Sequence, residues 1–282
     1  MPINTIGVIG AGTMGSGIAQ VAAAAKFKVT LVDVSDAAVK RGLDAVANGF
    51  ARATTKGKMT AVEKEEALGL IQGTISYDKL KPVDIVIEAA SESFELKTKI
   101  FEIIDSLVRP EAIIASNTSS VSITKLASLV SSPDRVIGMH FFNPVPVMSL
   151  IEVVRGLQTS DATHDAVEVL ARKLGKWPIT VRNGPGFVVN RVLLPMINEA
   201  FFVLADGDAS PTDIDEGMKL GCNHPIGPLA LADLIGLDVL LSVMQILHDE
   251  FADSKYRPCP LLKEMVAAGY LGRKSGRGVY RY

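Results

Sequence analysis

The chain has 282 residues, 48% of them hydrophobic and 21% charged, which is typical of a soluble globular protein with one large or two ordinary domains and excludes extended disorder. Its formal net charge of -2 argues against a general attraction to nucleic acid or acidic membranes, so we expect no nucleic-acid or membrane partner. Cys222 and Cys259 are far apart and lack CxxC spacing, which argues against a disulfide framework or a metal site and favours a reducing, cytoplasmic location.

The first predicted element is a strand in TIGVIG, and a glycine-rich turn follows it directly. The N-terminus before this strand lacks the basic start and long apolar core of a signal peptide. Gly10 can form a tight turn, Gly12 allows a pyrophosphate to approach the backbone, and Gly15 allows the helix that we expect to start there to pack on the strand. With Thr13 and Met14, these glycines form a predicted dinucleotide-binding turn, in which the amides of the helix N-terminus face the phosphates.

The second predicted strand, KVTLVD, ends at Asp33, where a dinucleotide-binding fold carries an acidic residue. A carboxylate at this place accepts both hydroxyls of the adenosine ribose and repels the 2′-phosphate of NADP. The alternative is that Asp33 merely caps the next helix. Because strand, turn, helix, strand and acid occur in the order that the motif requires, the sequence predicts NAD as the cofactor.

A long charged segment follows and predicts a helical hairpin that projects from the sheet. Its first helix ends near Lys56 and Gly57, and Thr60 followed by Glu63 is a capping box that starts a second helix. Short β-branched runs then alternate with helical segments as far as Val181; these runs are VDIVIEAA, AIIASNT, RVIGMHFF, LIEVV and WPITV. The alternation predicts a Rossmann-type α/β domain with a mostly parallel sheet and helices on both faces.

The pattern changes at a cluster of helix and strand breakers, residues 183–186, after which only helical periodicity remains. We therefore predict an NAD-binding Rossmann-like domain over residues 1–185 and an all-helical substrate and dimerisation domain over residues 186–282. The most apolar stretch contains Asp233 and Asp238, which a membrane span would have to bury in lipid. We interpret it as one helix over residues 225–251, in the core or at a subunit contact.

A histidine and a glutamate lie on two consecutive predicted strands, His140 at the end of the first apolar run and Glu152 inside the next. Strands joined by the short loop between them can bring the imidazole and the carboxylate together. Such a pair suits hydride chemistry, because histidine changes protonation near neutral pH and a buried carboxylate can hold its ring in one tautomer. The alternative is a core histidine bonded to backbone and an unrelated surface glutamate, and spacing alone does not decide between them.

Five segments, GAGTMGSGIAQ, SNTSS, HFFNPVPVMSLIEVV, GPGFVVNR and GRKSGRGVYRY, together resemble the L-3-hydroxyacyl-CoA dehydrogenase family, above all its single-function bacterial members that act on 3-hydroxybutyryl-CoA. The resemblance runs from end to end of the chain in the same order. It implies reversible, NAD-dependent oxidation of an (S)-3-hydroxyacyl-CoA to a 3-ketoacyl-CoA, with short substrates such as acetoacetyl-CoA. It also implies a homodimer formed through the helical domain.

The resemblance implies a role for each matching residue at the reacting centre. His140 matches the catalytic base, and Glu152 matches its orienting partner. Ser119 and Asn190 match residues that hold the substrate, and Ser119 also matches a contact to the cofactor.

Further positions match contacts to the two nucleotides. The cofactor contacts implied beyond the glycine turn and the acidic residue are Glu92, Lys97, Asn117, Asn143 and Lys274. Lys56, on the hairpin, matches a contact to the nucleotide of CoA, and Arg52 and Lys58 are its basic neighbours. Without the resemblance, these three cations would be taken for solvated surface charges.

Two other functions fit parts of the pattern. A dehydrogenase of a free 3-hydroxyacid would have the same two-domain plan, but those related folds generally use a lysine where a proton must move. A non-catalytic dinucleotide-binding protein would need the glycine turn but not the histidine and glutamate. The occurrence of both features in one chain therefore favours the CoA-thioester dehydrogenase.

Overall fold

The computed structural model describes residues 3–282, and the chain divides into two compact units. The first unit ends at Gly184 and the second begins at Pro185. The boundary predicted from the sequence lies one residue later, between residues 185 and 186. Both positions fall in the breaker cluster, where no helix or strand continues.

The first unit is built on one eight-stranded sheet with the strand order β3-β2-β1-β4-β5-β6-β7-β8. Its strands are β1 (Thr5–Ile9), β2 (Lys28–Val32), β3 (Ile71–Thr74), β4 (Ile85–Glu88), β5 (Ile113–Ser116), β6 (Val136–Phe141), β7 (Leu150–Arg155) and β8 (Trp177–Arg182). Neighbouring strands are parallel, except that β6 and β7 are antiparallel. The predicted mostly parallel sheet is therefore confirmed.

The helices of this unit connect the strands. They are α1 (Thr13–Ala24), α2 (Asp36–Thr55), α3 (Ala61–Gly69), α4 (Phe94–Leu107), α5 (Ile123–Ala127) and α6 (Asp161–Lys173). The sequence pattern missed β3, which has only four residues and lies at the edge of the sheet. Its sequence, IQGT, has a single aliphatic residue, so it carries little of the hydrophobic signal by which strands are predicted.

The central strands are buried on both faces, which is why they read as continuous apolar runs. All four residues of β4 are buried, and Ile6 and Val8 of β1 are fully buried. β1 pairs with β2 on one side and with β4 on the other, so the strand order reverses at β1. In sheets of this kind, ligands bind beyond the carboxyl ends of the strands at the point of reversal.

The predicted helical hairpin consists of α2 and α3, and the predicted capping box begins its second helix. The hydroxyl of Thr60 accepts a hydrogen bond from the Glu63 amide at 3.2 Å, and Glu63 Oε2 accepts one from the Thr60 amide at 2.8 Å. α2 packs closely along α1, because Gly49 has no Cβ, and a Cβ at this position would meet the side chain of Gln20. The end of the hairpin, residues 56–58, is exposed.

The second unit is helical, as predicted. Its helices are α7 (Val189–Asp206), α8 (Pro211–Cys222), α9 (Pro228–Ile235), α10 (Leu237–Phe251) and α11 (Pro260–Ala267). Its core contains fully buried side chains from four of them, among them Phe201, Leu229, Leu240 and Leu262. Two compact units, each with its own hydrophobic core, therefore make up the chain.

The prediction of one helix over residues 225–251 is wrong, because α9 and α10 meet at an angle of 98°. Gly236 separates them with a φ of +105°, a backbone conformation that favours glycine and ends the helix. Of the helices within residues 3–282, none is by itself long and apolar enough to cross a membrane, and only the bent pair α9 and α10 reaches that length and composition together.

Asp233, inside this apolar stretch, is buried and satisfied by the C-terminal segment of the chain. Its carboxylate accepts hydrogen bonds from the amides of Val279 and Tyr280, both at 2.9 Å, and from the Tyr282 hydroxyl at 3.1 Å. An apolar helix can therefore carry a carboxylate, because the acceptor is fully used within the unit.

Candidate active site

The turn after β1 has the geometry that a pyrophosphate needs. Gly10 has a φ of +98°, and a Cβ on Gly15 would meet the Gly10 carbonyl oxygen. A Cβ on Gly12 would meet nothing within 4 Å, so the backbone there is open to a ligand. α1 begins at Thr13, two residues earlier than predicted, and Gly12 is its N-cap. Since glycine has no side chain to satisfy the first amides, this helix end suits an anion.

Asp33, at the carboxyl end of β2, lies against this turn. Its carboxylate accepts hydrogen bonds from the amides of Ala11 and Val34, both at 2.6 Å. Ser35 caps α2, and its side chain accepts a hydrogen bond from the Ala38 amide at 3.2 Å. The alternative that Asp33 caps this helix is therefore wrong, and its half-buried carboxylate stands where the adenosine ribose of a dinucleotide is expected.

Glu92 holds the loop that follows β5. Its Oε1 accepts hydrogen bonds from the Thr118 hydroxyl and the Ser119 amide at 2.6 Å, and from the Ser120 amide at 3.0 Å. Its Oε2 lies 3.2 Å from Lys97 Nζ. Desolvation tends to raise the pKa of Glu92, but the charge of Lys97 and these hydrogen bonds outweigh it and lower the pKa below its usual value. Glu92 is therefore an ionised acceptor that fixes the position of Ser119.

A buried ion pair between Glu88 and Lys97 lies next to Glu92, and the sequence reasoning missed its acidic member, Glu88. Lys97 Nζ lies 2.8 and 2.9 Å from the two carboxylate oxygens of Glu88, and the two side chains are 1% and 0% exposed. Glu88 also accepts hydrogen bonds from the Ser116 hydroxyl at 2.6 Å and the Ala90 amide at 2.7 Å. The available signal was a glutamate that closes the apolar run of a central strand.

His140 and Glu152 face each other across β6 and β7. They are paired directly in the antiparallel register, and His140 Nδ1 lies 2.6 Å from Glu152 Oε2. Both are buried, and the ring of Phe142 lies 4.6 Å from the imidazole, centroid to centroid. The alternative of an unrelated surface glutamate is therefore wrong. Because β1, β4, β5 and β6 are parallel, the imidazole lies at the sheet edge that carries the glycine turn.

Three further predicted residues lie in loops at this edge. Asn117 follows β5, and its Oδ1 accepts a hydrogen bond from the Phe141 amide at 2.9 Å. Ser119 does not cap α5, because the cap of that helix is Ser122. Asn143 is exposed in the loop after β6. The carboxyl edge of the sheet therefore gathers most of the predicted residues of the first unit.

A cavity of about 480 Å³ opens between α1, the end of α2 and the loop after β6. Arg52, Lys56 and Lys58 line its α2 side, and all three are exposed. Residues 143–147 form the opposite wall. Three cations that face one open cavity suit a ligand with several negative charges.

Two predicted residues belong to the second unit. Asn190 is the second residue of α7. Lys274 lies near the C-terminus, and its Nζ is 2.6 Å from a carboxylate oxygen of Asp238 on α10. Both partners are partly exposed, and such pairs contribute little to stability.

Comparison with known proteins decides the family. Residues 5–184 match the model of the 3-hydroxyacyl-CoA dehydrogenase NAD-binding domain, and residues 186–282 match that of the 3-hydroxyacyl-CoA dehydrogenase C-terminal domain. The chain belongs to the 3-hydroxyacyl-CoA dehydrogenase family. The resemblance stated from its motifs is therefore confirmed, and the dehydrogenase is an NAD-dependent oxidoreductase.

Several full-length relatives are named 3-hydroxybutyryl-CoA dehydrogenases. The 3-hydroxybutyryl-CoA dehydrogenase of Bradyrhizobium diazoefficiens is 51% identical, with 99% of this chain and 96% of that protein covered. That of Clostridioides difficile is 49% identical, with 98% and 99% covered. The crystal structure of the (S)-3-hydroxybutyryl-CoA dehydrogenase of Ralstonia eutropha has a TM-score of 0.98 and 65% identity, with 99% of both chains covered.

Proposed function

We propose that this dehydrogenase interconverts a short-chain (S)-3-hydroxyacyl-CoA, such as 3-hydroxybutyryl-CoA, and the corresponding 3-ketoacyl-CoA, acetoacetyl-CoA. The observation that carries the proposal is the buried pair of His140 and Glu152 at the sheet edge that also bears the dinucleotide turn. The names of the similar proteins support this substrate class.

His140 is the proposed acid and base, and Glu152 is its orienting partner. Bound NAD would supply the acceptor for the hydride that leaves C3 of the hydroxyacyl chain. His140 takes the proton of the C3 hydroxyl as the C3–O bond becomes a carbonyl, and it returns that proton in the reverse reaction. Glu152, 2.6 Å from Nδ1, keeps a proton on that nitrogen, so that Nε2 is the one that accepts, and it stabilises the imidazolium.

Ser119 and Asn190 are the proposed substrate-holding residues. Their hydrogen bonds to the substrate oxygens would each stabilise the transition state by about 3 kcal/mol, the effect of a fixed oxyanion donor. Glu92 supports this role of Ser119, because it accepts a hydrogen bond from the Ser119 amide and so fixes the loop.

The proposed cofactor contacts follow the same sheet edge. The glycine turn would hold the pyrophosphate, and Asp33 would accept the ribose hydroxyls and select NAD over NADP. The proposed contacts are Gly10, Gly12, Thr13, Met14, Gly15, Asp33, Glu92, Lys97, Asn117, Ser119, Asn143 and Lys274.

Arg52, Lys56 and Lys58 are the proposed contacts to the CoA nucleotide. They line the cavity between α2 and the loop after β6, and a CoA nucleotide carries several negative charges. Cations that are otherwise only solvated surface charges would then raise the affinity for the thioester and not for a free acid.

A homodimer formed through the helical unit is also proposed. Val192, Leu220, Leu234 and Val239, on four different helices of that unit, are between 45% and 82% exposed in the single chain. Covering such apolar surface stabilises an assembly. We expect light scattering to give twice the chain mass of 30.0 kDa, and a monomer at micromolar concentration would contradict the dimer.

The state of the two cysteines supports a proposed reducing, cytoplasmic location, since the thiols of Cys222 and Cys259 are both free and that of Cys222 is exposed. Fractionation of cells that produce the enzyme should recover it with cytoplasmic markers. Recovery in an extracellular or periplasmic fraction would contradict the location.

The substrate class is tested by three reductions with NADH: of acetoacetyl-CoA, of its pantetheine-truncated analogue acetoacetyl-N-acetylcysteamine, and of free acetoacetate. We expect kcat/KM to be at least about 100-fold higher for the CoA thioester than for the free acid, because binding energy from remote parts of a substrate supports catalysis. The truncated thioester should fall between them, with its loss mainly in KM. The kcat/KM for NADPH should be at least about tenfold lower than that for NADH, because Asp33 repels the 2′-phosphate.

A double variant, Lys56→Ser with Lys58→Ser, tests the nucleotide contacts, with the truncated thioester as the control substrate. It should raise KM for acetoacetyl-CoA and leave the truncated thioester unaffected. Equal kcat/KM values for acetoacetate and acetoacetyl-CoA in the parent enzyme would contradict the proposed substrate class.

A further inference from the structure

Lys176 is a buried cation that neither the cofactor turn nor the histidine pair uses. It lies immediately before β8, and its side chain is buried. Its Nζ donates hydrogen bonds to the carbonyl oxygens of Val145 at 2.5 Å and Met148 at 2.7 Å. Both acceptors belong to the loop between β6 and β7, the same loop that walls the cavity opposite the three basic residues.

The bonding of Lys176 differs from that of the other buried lysine. Lys97 has a carboxylate partner in Glu88, whereas no ion pair joins Lys176 to any carboxylate within residues 3–282. Burial lowers the pKa of Lys176. A buried ammonium needs hydrogen-bond acceptors, and the carbonyls of Val145 and Met148 supply them, so the lysine ties these two residues of the loop together.

The loop is held from its other side by α1. Val145 is buried, and a Cβ placed on Gly17 would meet the side chain of Val145. Between these two supports, the amides of Val147 and Met148 both bond to the Pro144 carbonyl and close a tight turn. Lys176 and Gly17 therefore both lie against Val145, and together with this turn they fix residues 144–148 of the loop.

We propose that Lys176 is a positioning residue that sets the loop wall of the acyl-CoA pocket, and thereby the affinity for the CoA part of the substrate. This inference rests on the proposed function of the cavity as the CoA site. His140 and Glu152 are directly paired residues of the β6–β7 ladder, so a displacement of the wall leaves their register in place. Loss of Lys176 therefore raises KM for the CoA thioester and leaves kcat largely unchanged.

The test is Lys176→Met, which keeps the length of the side chain and removes all of its donors. We expect KM for acetoacetyl-CoA to rise about tenfold, as for the loss of hydrogen bonds from a charged donor, with kcat within about twofold of the parent. KM for acetoacetyl-N-acetylcysteamine should stay within about twofold, because that substrate lacks the nucleotide. Lys173→Met, which removes an exposed lysine from the end of α6, is the matched control and should change none of these values.

A second variant reaches the same wall without touching the lysine. Gly17→Ala adds a methyl group against Val145 within a helix that tolerates alanine, so it should reproduce the KM effect even where Lys176→Met does not fold. A folded Lys176→Met enzyme with parental KM for acetoacetyl-CoA, or an equal loss with the truncated thioester, overturns the inference. If the parent enzyme has the same KM for both thioesters, the cavity is not the CoA site; this contradicts the proposed function of the cavity and the inference that rests on it.

Discussion

Replacing His140 with glutamine is expected to lower kcat for acetoacetyl-CoA reduction about 1000-fold, within the range that a positioned acid and base contributes. Glutamine keeps a polar side chain of similar reach but cannot donate and recover a proton at neutral pH. Since the lost interaction acts only in the transition state, KM for acetoacetyl-CoA and for NADH should change by less than about threefold. Steady-state kinetics with each substrate varied in turn measures the effect.

Glu152→Gln is the companion variant, because it keeps the hydrogen bond to the imidazole and removes the charge. Its kcat should lie between the parent and the His140 variant, since the imidazole keeps its place but loses the carboxylate that stabilises its cation. His164→Gln, a substitution of another buried histidine that bonds to Thr180, is the control and should keep parental kcat. A kcat of His140→Gln close to that of the parent would show that His140 is not the acid and base.

Lys97→Met is expected to lower the free energy of unfolding by about 3–5 kcal/mol, the cost of leaving one charge of a buried pair without its partner. Glu88 would remain fully buried, and the hydroxyl of Ser116 and the amide of Ala90 cannot replace a cation. Urea denaturation followed by circular dichroism measures the change. Lys99→Met, an exposed lysine on the same helix, is the matched control and should stay within about 0.5 kcal/mol of the parent.

The double variant Glu88→Leu with Lys97→Met separates the pair from the packing around it. Replacing both members of a buried ion pair by apolar residues of similar volume is often neutral or stabilising, so the double variant should recover most of the lost stability. The same recovery should not extend to NADH binding, because Lys97 is a proposed cofactor contact. A Lys97→Met enzyme as stable as the parent would contradict the account of the buried pair.

Much of the first unit could be predicted because its signals are local. The glycine turn and the Thr60–Glu63 capping box each depend on residues a few positions apart along the chain, and Asp33 follows the turn at the fixed spacing that the motif requires. β3 could not be predicted in this way, because its short edge segment is held by pairing with β2 and not by its own hydrophobic pattern. The break between α9 and α10 depends on one glycine inside a mostly apolar stretch, where helical periodicity continues on both sides.

For the candidate site, too, only the features that depend on local sequence could be predicted. The residue types and the order of motifs along the chain already predicted a dinucleotide turn and the resemblance to a family, because these features depend on which residues are present and on short spacings. Spacing left the pairing of His140 with Glu152 open, and only the resemblance favoured it. The contacts of Glu88 with Ser116, of Glu92 with Ser119 and of Lys176 with Val145 were decided by the tertiary structure alone, since each joins segments that are distant along the chain. Burial decides what such charges do, and burial is a property of the folded chain: the same glutamate or lysine is a solvated surface charge in one place and a fixed support of the site in another.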